Sequence, residues 1–396
     1  MSSPAFVILA FDHPLRAVES VGHGMAAGLH SLGIDASVVV VPRDNQRLVS
    51  LLAGPICGVL SLGSLPLSVL VDGRLLHRWL NCPVWLYFLD ALIYDLARVP
   101  ATREFLDDAA NDPRLIPISP EAGYQSLLGW SGQRGFWPGQ SRHVPFGCFP
   151  KLEIGANPVQ RQPRLCVIGT IGSELGGGQV GESFAELVAR TRPTGVGDAA
   201  LGELAAIMHS TEAPAMPSEA AMRAFGWEPL QLVDAAYLPF LCALDSWTKR
   251  ERRLKAARSL MGLPVDFFGN GWQQVLGDVS DFRYRGDVGH DDIALLMTHY
   301  AGVVNFDPNW SAGVHDRVYT AVAMGTTVLT NDNTALGGAH LPKELVRVYD
   351  ANQPQLAPLA HEAIQSATMP ALPRLEVMSA HGWSNRMARL VQPALG

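Results

Sequence analysis

The sequence predicts an α/β protein made of two doubly wound parallel sheets, and three stretches carry that prediction. Ala5 to Ala10, a loop, a helix ending at Leu32–Gly33, and Ala36 to Val41 form a β–loop–α–β opening, which is how such a sheet begins. The same grammar restarts at Arg164 to Ile168, after a connector bearing proline and glycine from Gly147 to Pro163. The third stretch is Val303 to Asn331. There an apolar run with β-branched residues gives way to a polar loop, a helix with apolar residues at 318, 321, 322 and 324, and a second apolar run from Thr327.

Taken in order, Gly58 to Gly63 reads as a short strand and turn, Pro83 to Leu89 as a strand ending in Asp90, and Leu115 to Ile118 as another. Ser119-Pro120-Glu121 has the composition of a helix start, with the serine as cap and the proline in the first helical position. Ser141 to Phe146 closes the first half. In the second half, residues 180 to 262 read mostly as helix with breaks at Pro193, Pro214 and Pro217, and the Lys- and Arg-rich segment Trp247 to Met261 runs as one helix. Val265 to Phe268 and Phe282 to Arg285 are extended, Asp291 to His299 is helical, and Leu345 to Tyr349 is the last strand. Helices from Pro354 to Ala367 and within Leu375 to Leu395 complete the chain. Gly22 and Gly24 look like half of a dinucleotide fingerprint, but close helix–strand packing explains them equally well.

A chain of 396 residues with 48% hydrophobic and 17% charged residues can bury two cores and is not disordered. A formal net charge of −7 gives no reason to expect nucleic-acid binding. Five cysteines without a C-x-x-C pair suit reduced thiols in the cytoplasm. No signal peptide and no integral membrane segment is expected, since Cys57 to Val71 is broken by serines, glycine and proline. No Asp-x-Asp and no pair of histidines at ligand spacing suggests a metal site.

The loop Asp307 to His315 and the helix start at Asp316 make an anion site on physical grounds. Free N–H groups and the helix dipole point at the loop, and His315 and Arg317 add donors. Gly325 is the expected helix stop.

Arg317-Val318-Tyr319-Thr320-Ala321-Val322-Ala323-Met324-Gly325 also resembles the R-x-[FY]-E-A-x-A-x-G donor signature of glycosyltransferases with the GT-B fold. The similarity is to the "glycosyl transferases group 1" set that includes spore-maturation glycosyltransferase-like proteins. It covers Val265 to Leu395, where His381-Gly382-Trp383-Ser384-Asn385-Arg386 resembles the set's closing His-x-aromatic-x-x-Arg helix. The resemblance implies two Rossmann-like domains facing a central cleft: residues 1–150 for the acceptor and 151–396 for a nucleotide-sugar donor, with a final helix able to cross back. It implies a metal-independent transferase with no cofactor beyond the donor as co-substrate. Arg317 and His315 would then stabilise the leaving diphosphate, Asp316 would open the helix, and Thr170 and Gly172 would meet the phosphates from another loop. Asn270 would touch the nucleotide, and Asp307 and Asn309 would lie by the sugar. Thr320 stands where the set carries a ribose-binding Glu, and its hydroxyl can still hydrogen-bond a ribose. Asp90 and His13, at strand ends of the first half, are the candidate bases, with Asp12 and His143 behind them. Trp130, Trp137, Trp272 and Trp310 are able to stack on a sugar or a base. The alternatives are a nucleotide-sugar epimerase on the same fold and a non-catalytic nucleotide-binding module.

Overall fold

The computed structural model of the protein describes residues 5–64, 66, 69–71, 73–90, 92–98, 112–123, 142–148, 160–171, 181–208, 216–228, 231, 234–277, 282–307, 309–352, 354–366 and 374–395. The chain divides into two compact units, one comprising Met1–Lys151 with Ser379–Gly396 and the other Leu152–Met378.

In the first unit, strands β1 (Ala5–Phe11), β2 (Ala36–Val41) and β3 (Ile56–Leu62) are followed by a small hairpin of β4 (Leu70–Val71) and β5 (Arg74–Leu75). Then come β6 (Val84–Tyr87), β7 (Leu115–Ser119) and the short β8 (Arg142–His143). The sheet order is β2-β1-β3-β6-β7-β8, and every pairing is parallel. Parallel strands are covered on both faces, so they read as nearly continuous apolar runs such as Ala36–Val41.

The first helix spans Ala17–Ser31. Gly22 and Gly24 therefore lie inside it, and they serve packing. A Cβ at Gly22 would meet Val38, Leu62 and Ile8, and one at Gly24 would come within 2.5 Å of the Trp383 ring. Gly28 brings the same helix face within 2.7 Å of the Trp383 backbone. The last helix, Trp383–Leu395, thus lies against the first, with Trp383 fully buried. Gly382 separates this helix from Leu375–His381, and its bridge to Cys148 ties the chain end to the first unit.

In the second unit, β9 (Gln162–Ile168), β10 (Val265–Phe268), β11 (Phe282–Tyr284), β12 (Tyr300–Asn305), β13 (Thr327–Asn331) and β14 (Val346–Tyr349) order as β11-β10-β9-β12-β13-β14, all parallel. Leu165, Val167, Val265, Phe267 and Val304 bury one face against Leu254, Ala257 and Leu260, and Leu356 and Ala360 join the same core. On the neighbouring position of β10, the buried Asp266 is satisfied by Arg164 at 2.7 Å, Arg285 at 2.8 Å and the Tyr300 hydroxyl at 3.0 Å. The helix carrying Leu254 is the 21-residue Leu238–Arg258, which starts well before the expected Trp247. Among the described residues no helix is long and apolar enough to cross a membrane.

Both sheets match the doubly wound expectation. Each reverses direction between two central strands, β1/β3 in the first and β9/β12 in the second, and such a switch point is where an open α/β sheet leaves a crevice at its carboxyl edge.

Candidate functional site

The carboxyl ends of β9 and β12 meet at the second switch point. Beyond β9, Gly169 adopts φ 145°, and beyond β10, Gly269 adopts φ 109°. A Cβ on Gly269 would stand 2.5 Å from the Gly169 carbonyl oxygen, so the two turns approach as closely as glycine allows. Trp272 Nε1 donates to that same carbonyl at 2.6 Å. The indole is buried against Phe267, so it is a structural clamp with no face left for a ligand.

Beyond β12 the chain enters the loop and then the helix Asp316–Ala323, whose N-cap is His315. Gly325, at φ 68°, terminates it, and Thr326 N–H returns to the Ala321 carbonyl at 2.8 Å. The Arg317 guanidinium does not pair with Asp316. Its Nη1 donates to the Ile168 carbonyl at the end of β9, and its Nη2 lies 3.1 Å from His315 Nε2. Asp316 instead accepts from the Arg317 backbone N–H at 2.8 Å, touches His315 Nδ1, and faces His290 Nε2 at 3.5 Å. His315 Nδ1 is shared: it accepts from the Arg317 backbone N–H and Nε, each at 3.3 Å, and it also touches Asp316, so the Nδ1-protonated tautomer serves Asp316 and the Nε2-protonated one serves the helix cap. Burial, reinforced by Arg317, pushes the His315 imidazole down to about 4, so it is neutral at pH 7. Burial alone would raise the Asp316 carboxyl, but His315 and His290 hold it well below its ordinary range. Burial lowers the Arg317 pKa and Asp316 opposes that shift.

Asp307 is buried beside this cluster. It accepts from Asn305 Nδ2 at 2.6 Å and Asn333 Nδ2 at 2.9 Å, while its own N–H donates to Asn331 Oδ1 at 2.7 Å. Burial raises its carboxyl to about 6 against the pull of those two amides and of Arg317. Asn309, left-handed at φ 44°, turns away toward the Leu238–Arg258 helix. Its Nδ2 donates to the Asp245 carbonyl at 2.8 Å and to Asp245 Oδ1 at 2.9 Å, and its Oδ1 accepts from Arg252 Nη1 at 3.0 Å.

A pocket opens between that helix and the strand ends. Arg252 and Arg253 form its helix side, Asp307, Asn309 and Trp310 its loop side, and Asn331 and Tyr349 lie at the ends of β13 and β14. Arg253 Nη1 donates to the Thr170 carbonyl, which joins the β9 loop to this wall. Arg252 Nε is buried with no hydrogen-bond partner among the described residues. Burial brings the Arg252 pKa down to about 10, with Asp245, Asp332 and Asp350 opposing, so the guanidinium stays charged at neutral pH. Trp310 stacks on His315 with ring centroids 5.7 Å apart.

The structure thus gathers Thr170, Asp307, Asn309, His315, Asp316 and Arg317 at one sheet edge. Asn270 is on that edge but exposed, its carbonyl accepting from Ile171 N–H at 2.9 Å. Thr320 is buried one turn below Asp316, and its hydroxyl has no partner among the described residues, so it does not bond back to its own helix. Gly172, Trp130 and Trp137 lie outside the described residues. In the first unit, His13 follows β1, where its Nδ1 accepts from Leu15 N–H at 3.2 Å, and the half-buried Asp90 follows β6. Both therefore sit at the carboxyl edge of the first sheet. Asp12 lies 3.9 Å from Arg43, and His143 Nε2 is 3.2 Å from the Pro120 carbonyl.

Sequence reasoning missed Arg252, Arg253, Asp245 and Tyr349. A basic run on a long helix reads as a solvated face, whereas Lys249 and Arg250 are 6% and 3% exposed. The available signal was the spacing: Asp245, Lys249, Arg252 and Arg253 fall on one helical face at steps of three and four.

Residues 249–392 match the family described as "Glycosyl transferase-like". This part of the chain is similar to that family. Every residue lining the pocket lies inside it. No match is found among curated protein sequences. Among solved structures the chain is similar to the sucrose-phosphate synthase of Thermosynechococcus elongatus, at 12% identity and TM-score 0.48, covering 99% of this chain and 98% of that one. It is likewise similar to a glycosyltransferase from Rickettsia africae, at 8% identity and TM-score 0.48 over 100% and 98% of the two chains. A third likeness is to T4 phage BGT in complex with UDP-glucose, at 7% identity and TM-score 0.45 over 99% and 96%.

Proposed function

We propose that the protein is a glycosyltransferase that binds a nucleotide-activated sugar in the pocket beside Asp307 and transfers the sugar to an acceptor held by the first unit. The observation that carries this reading is the coincidence of two independent facts. The segment that matches the glycosyl transferase-like family contains the whole lining of the pocket, and that lining brings two arginines to the carboxyl edge of the second sheet, over the ends of β12, β13 and β14.

The leaving group in such a reaction is a nucleoside phosphate whose negative charge grows as the glycosidic bond breaks. Preorganised cations in a partly dry site lower that barrier without any rearrangement at the moment of reaction. Arg252 and Arg253 are the side chains able to do this. Arg317 contributes by fixing the β9 end to the start of the Asp316–Ala323 helix, which sets the loop and the helix N–H groups in place. Thr170 and Thr320 remain the proposed contacts for phosphate and ribose, and Asn270 a proposed contact for the nucleotide. His13 and Asp90 are the proposed bases on the acceptor side. We assign no cofactor, and the arginine pair is the reason we propose metal-independent transfer. The family match is to transferases, which favours transfer over the epimerase alternative.

A thermal-shift panel of UDP, GDP, CDP, CMP and dTDP, with and without EDTA, tests the donor site. A ligand that binds only the native state at a hundredfold excess over its Kd adds about 2.7 kcal/mol of stability. A selective shift that survives EDTA is the expected result. A shift that EDTA abolishes would remove metal independence, and no shift with any nucleotide would remove the donor site.

A further inference from the structure

Building on the donor-site reading above, we infer that Asn309, held by the Asp245–Lys249 ion pair, is a positioning residue that acts through Arg252 and does not itself touch the donor. The geometry runs as a chain. Lys249 Nζ lies 3.0 Å from Asp245 Oδ2, one helical turn away, and both side chains are buried. Asp245 Oδ1 and its backbone carbonyl each accept a hydrogen bond from Asn309 Nδ2, at 2.9 and 2.8 Å. Both amide protons of Asn309 are thereby spent. Its remaining polar atom, Oδ1, accepts from Arg252 Nη1 at 3.0 Å.

Two features separate this from ordinary packing. Asn309 holds φ 44°, a left-handed conformation that asparagine tolerates and most side chains resist, and it does so at the loop that walls the pocket. Second, the chain ends in a cation whose buried Nε finds no partner among the described residues while the guanidinium lines the pocket. A buried donor left open in this way is costly unless a ligand completes it. Asn309 accepts one Arg252 proton and so fixes the plane of the fork, leaving the others for the phosphate oxygens of a nucleoside diphosphate. Asp245 fixes which way the Asn309 amide faces, because a flipped amide would set its oxygen against the carboxylate.

The test is a double-mutant cycle of Asn309→Gly and Arg252→Ala, read as the affinity for UDP, GDP, CDP and dTDP and, as controls, for the corresponding nucleosides. Glycine removes the amide while keeping the left-handed backbone free of strain. Melting curves check that each variant is folded, and Asp245→Asn, which keeps the shape and removes the charge, serves as an independent second variant. The expected result is a loss of roughly tenfold or more for the diphosphate on Asn309→Gly in the wild-type background. No further loss is expected once Arg252 is alanine, and nucleoside affinity should not change. Asp245→Asn should weaken the diphosphate in the same direction. An equal loss in both backgrounds would mean that Asn309 meets the ligand itself, and no loss in the wild-type background would mean that it positions nothing; either overturns the inference while leaving the donor site standing. A wild-type protein that binds none of UDP, GDP, CDP, dTDP and CMP removes the donor-site reading and this inference with it.

Discussion

Asp307 and His315 sit eight positions apart on one loop, and burial displaces them in opposite directions, the carboxyl to about 6 from 3.8 and the imidazole to about 4 from 6.5. The folded carboxyl holds a proton that the unfolded chain has released, so its contribution to stability is present below 3.8 and lost as pH rises through about 6. The folded imidazole lacks a proton that the unfolded chain carries, so its contribution is present above 6.5 and lost as pH falls through about 4. Each effect is worth roughly 3 kcal/mol at about 1.4 kcal/mol per unit, and between pH 4 and 6 they offset. Together these two groups should therefore add little net slope to the stability profile in that window. Asp307→Asn should uncover the histidine slope, with the denaturation midpoint climbing more steeply with pH than that of wild type between pH 4 and 6. Parallel profiles for the two proteins would refute the assignment. Arg317→Ala should leave the protein folded and lower donor turnover by about a hundredfold, because it frees the β9 end from the helix start; unchanged turnover would remove Arg317 from the site. At this scale the sequence announced positions and hid partners. Asp307, Asn309 and Arg317 stood out as a polar loop before a helix, yet Asn309 is satisfied by Asp245 and Arg252, and Arg317 by Ile168, all far away in the chain.

Strands and helices with a buried face were plain from their spacing, and the element ends were not. The first helix begins at Ala17 because Arg16, left-handed at φ 53°, turns the chain into it, and nothing in an arginine advertises that conformation. The Leu238–Arg258 helix was legible as a helix and illegible as a wall of the site, since its buried cations carry the same letters as a solvated face. The turns that end β9 and β10 give the element-scale prediction. Gly269→Ala meets both a left-handed backbone and the Gly169 carbonyl, whereas Gly262→Ala, at φ 83° with nothing within 4 Å, meets only the first. The backbone cost is about 1–2 kcal/mol in each, and the clash should add roughly another 1–3 kcal/mol at Gly269. Urea titration of the two variants measures the difference, and equal losses would contradict the close approach of the two turns.

The whole chain is two parallel α/β units, and the second half of the grammar, from Arg164 on, could be read because it repeats the first. The route of the chain end was harder to read, because it depends on small residues that make room at a distance: Gly24, Gly28 and Gly147 all face Trp383. Trp383→Ala should cost about 3–5 kcal/mol and lower the unfolding midpoint of the first unit, as truncation of a fully buried indole does; a midpoint within error of wild type would show that the last helix is not part of that core. The central claim is that the arginine-walled pocket handles a nucleotide sugar. Its most direct test is turnover of UDP-, GDP-, CMP- and dTDP-linked sugars with mixed saccharide acceptors, read as nucleotide release, for wild type and Arg252→Ala/Arg253→Ala side by side. The account predicts that one donor class is consumed and that the double variant, folded, loses at least about a hundredfold. Equal turnover by both proteins, or no donor consumed by either, would contradict it.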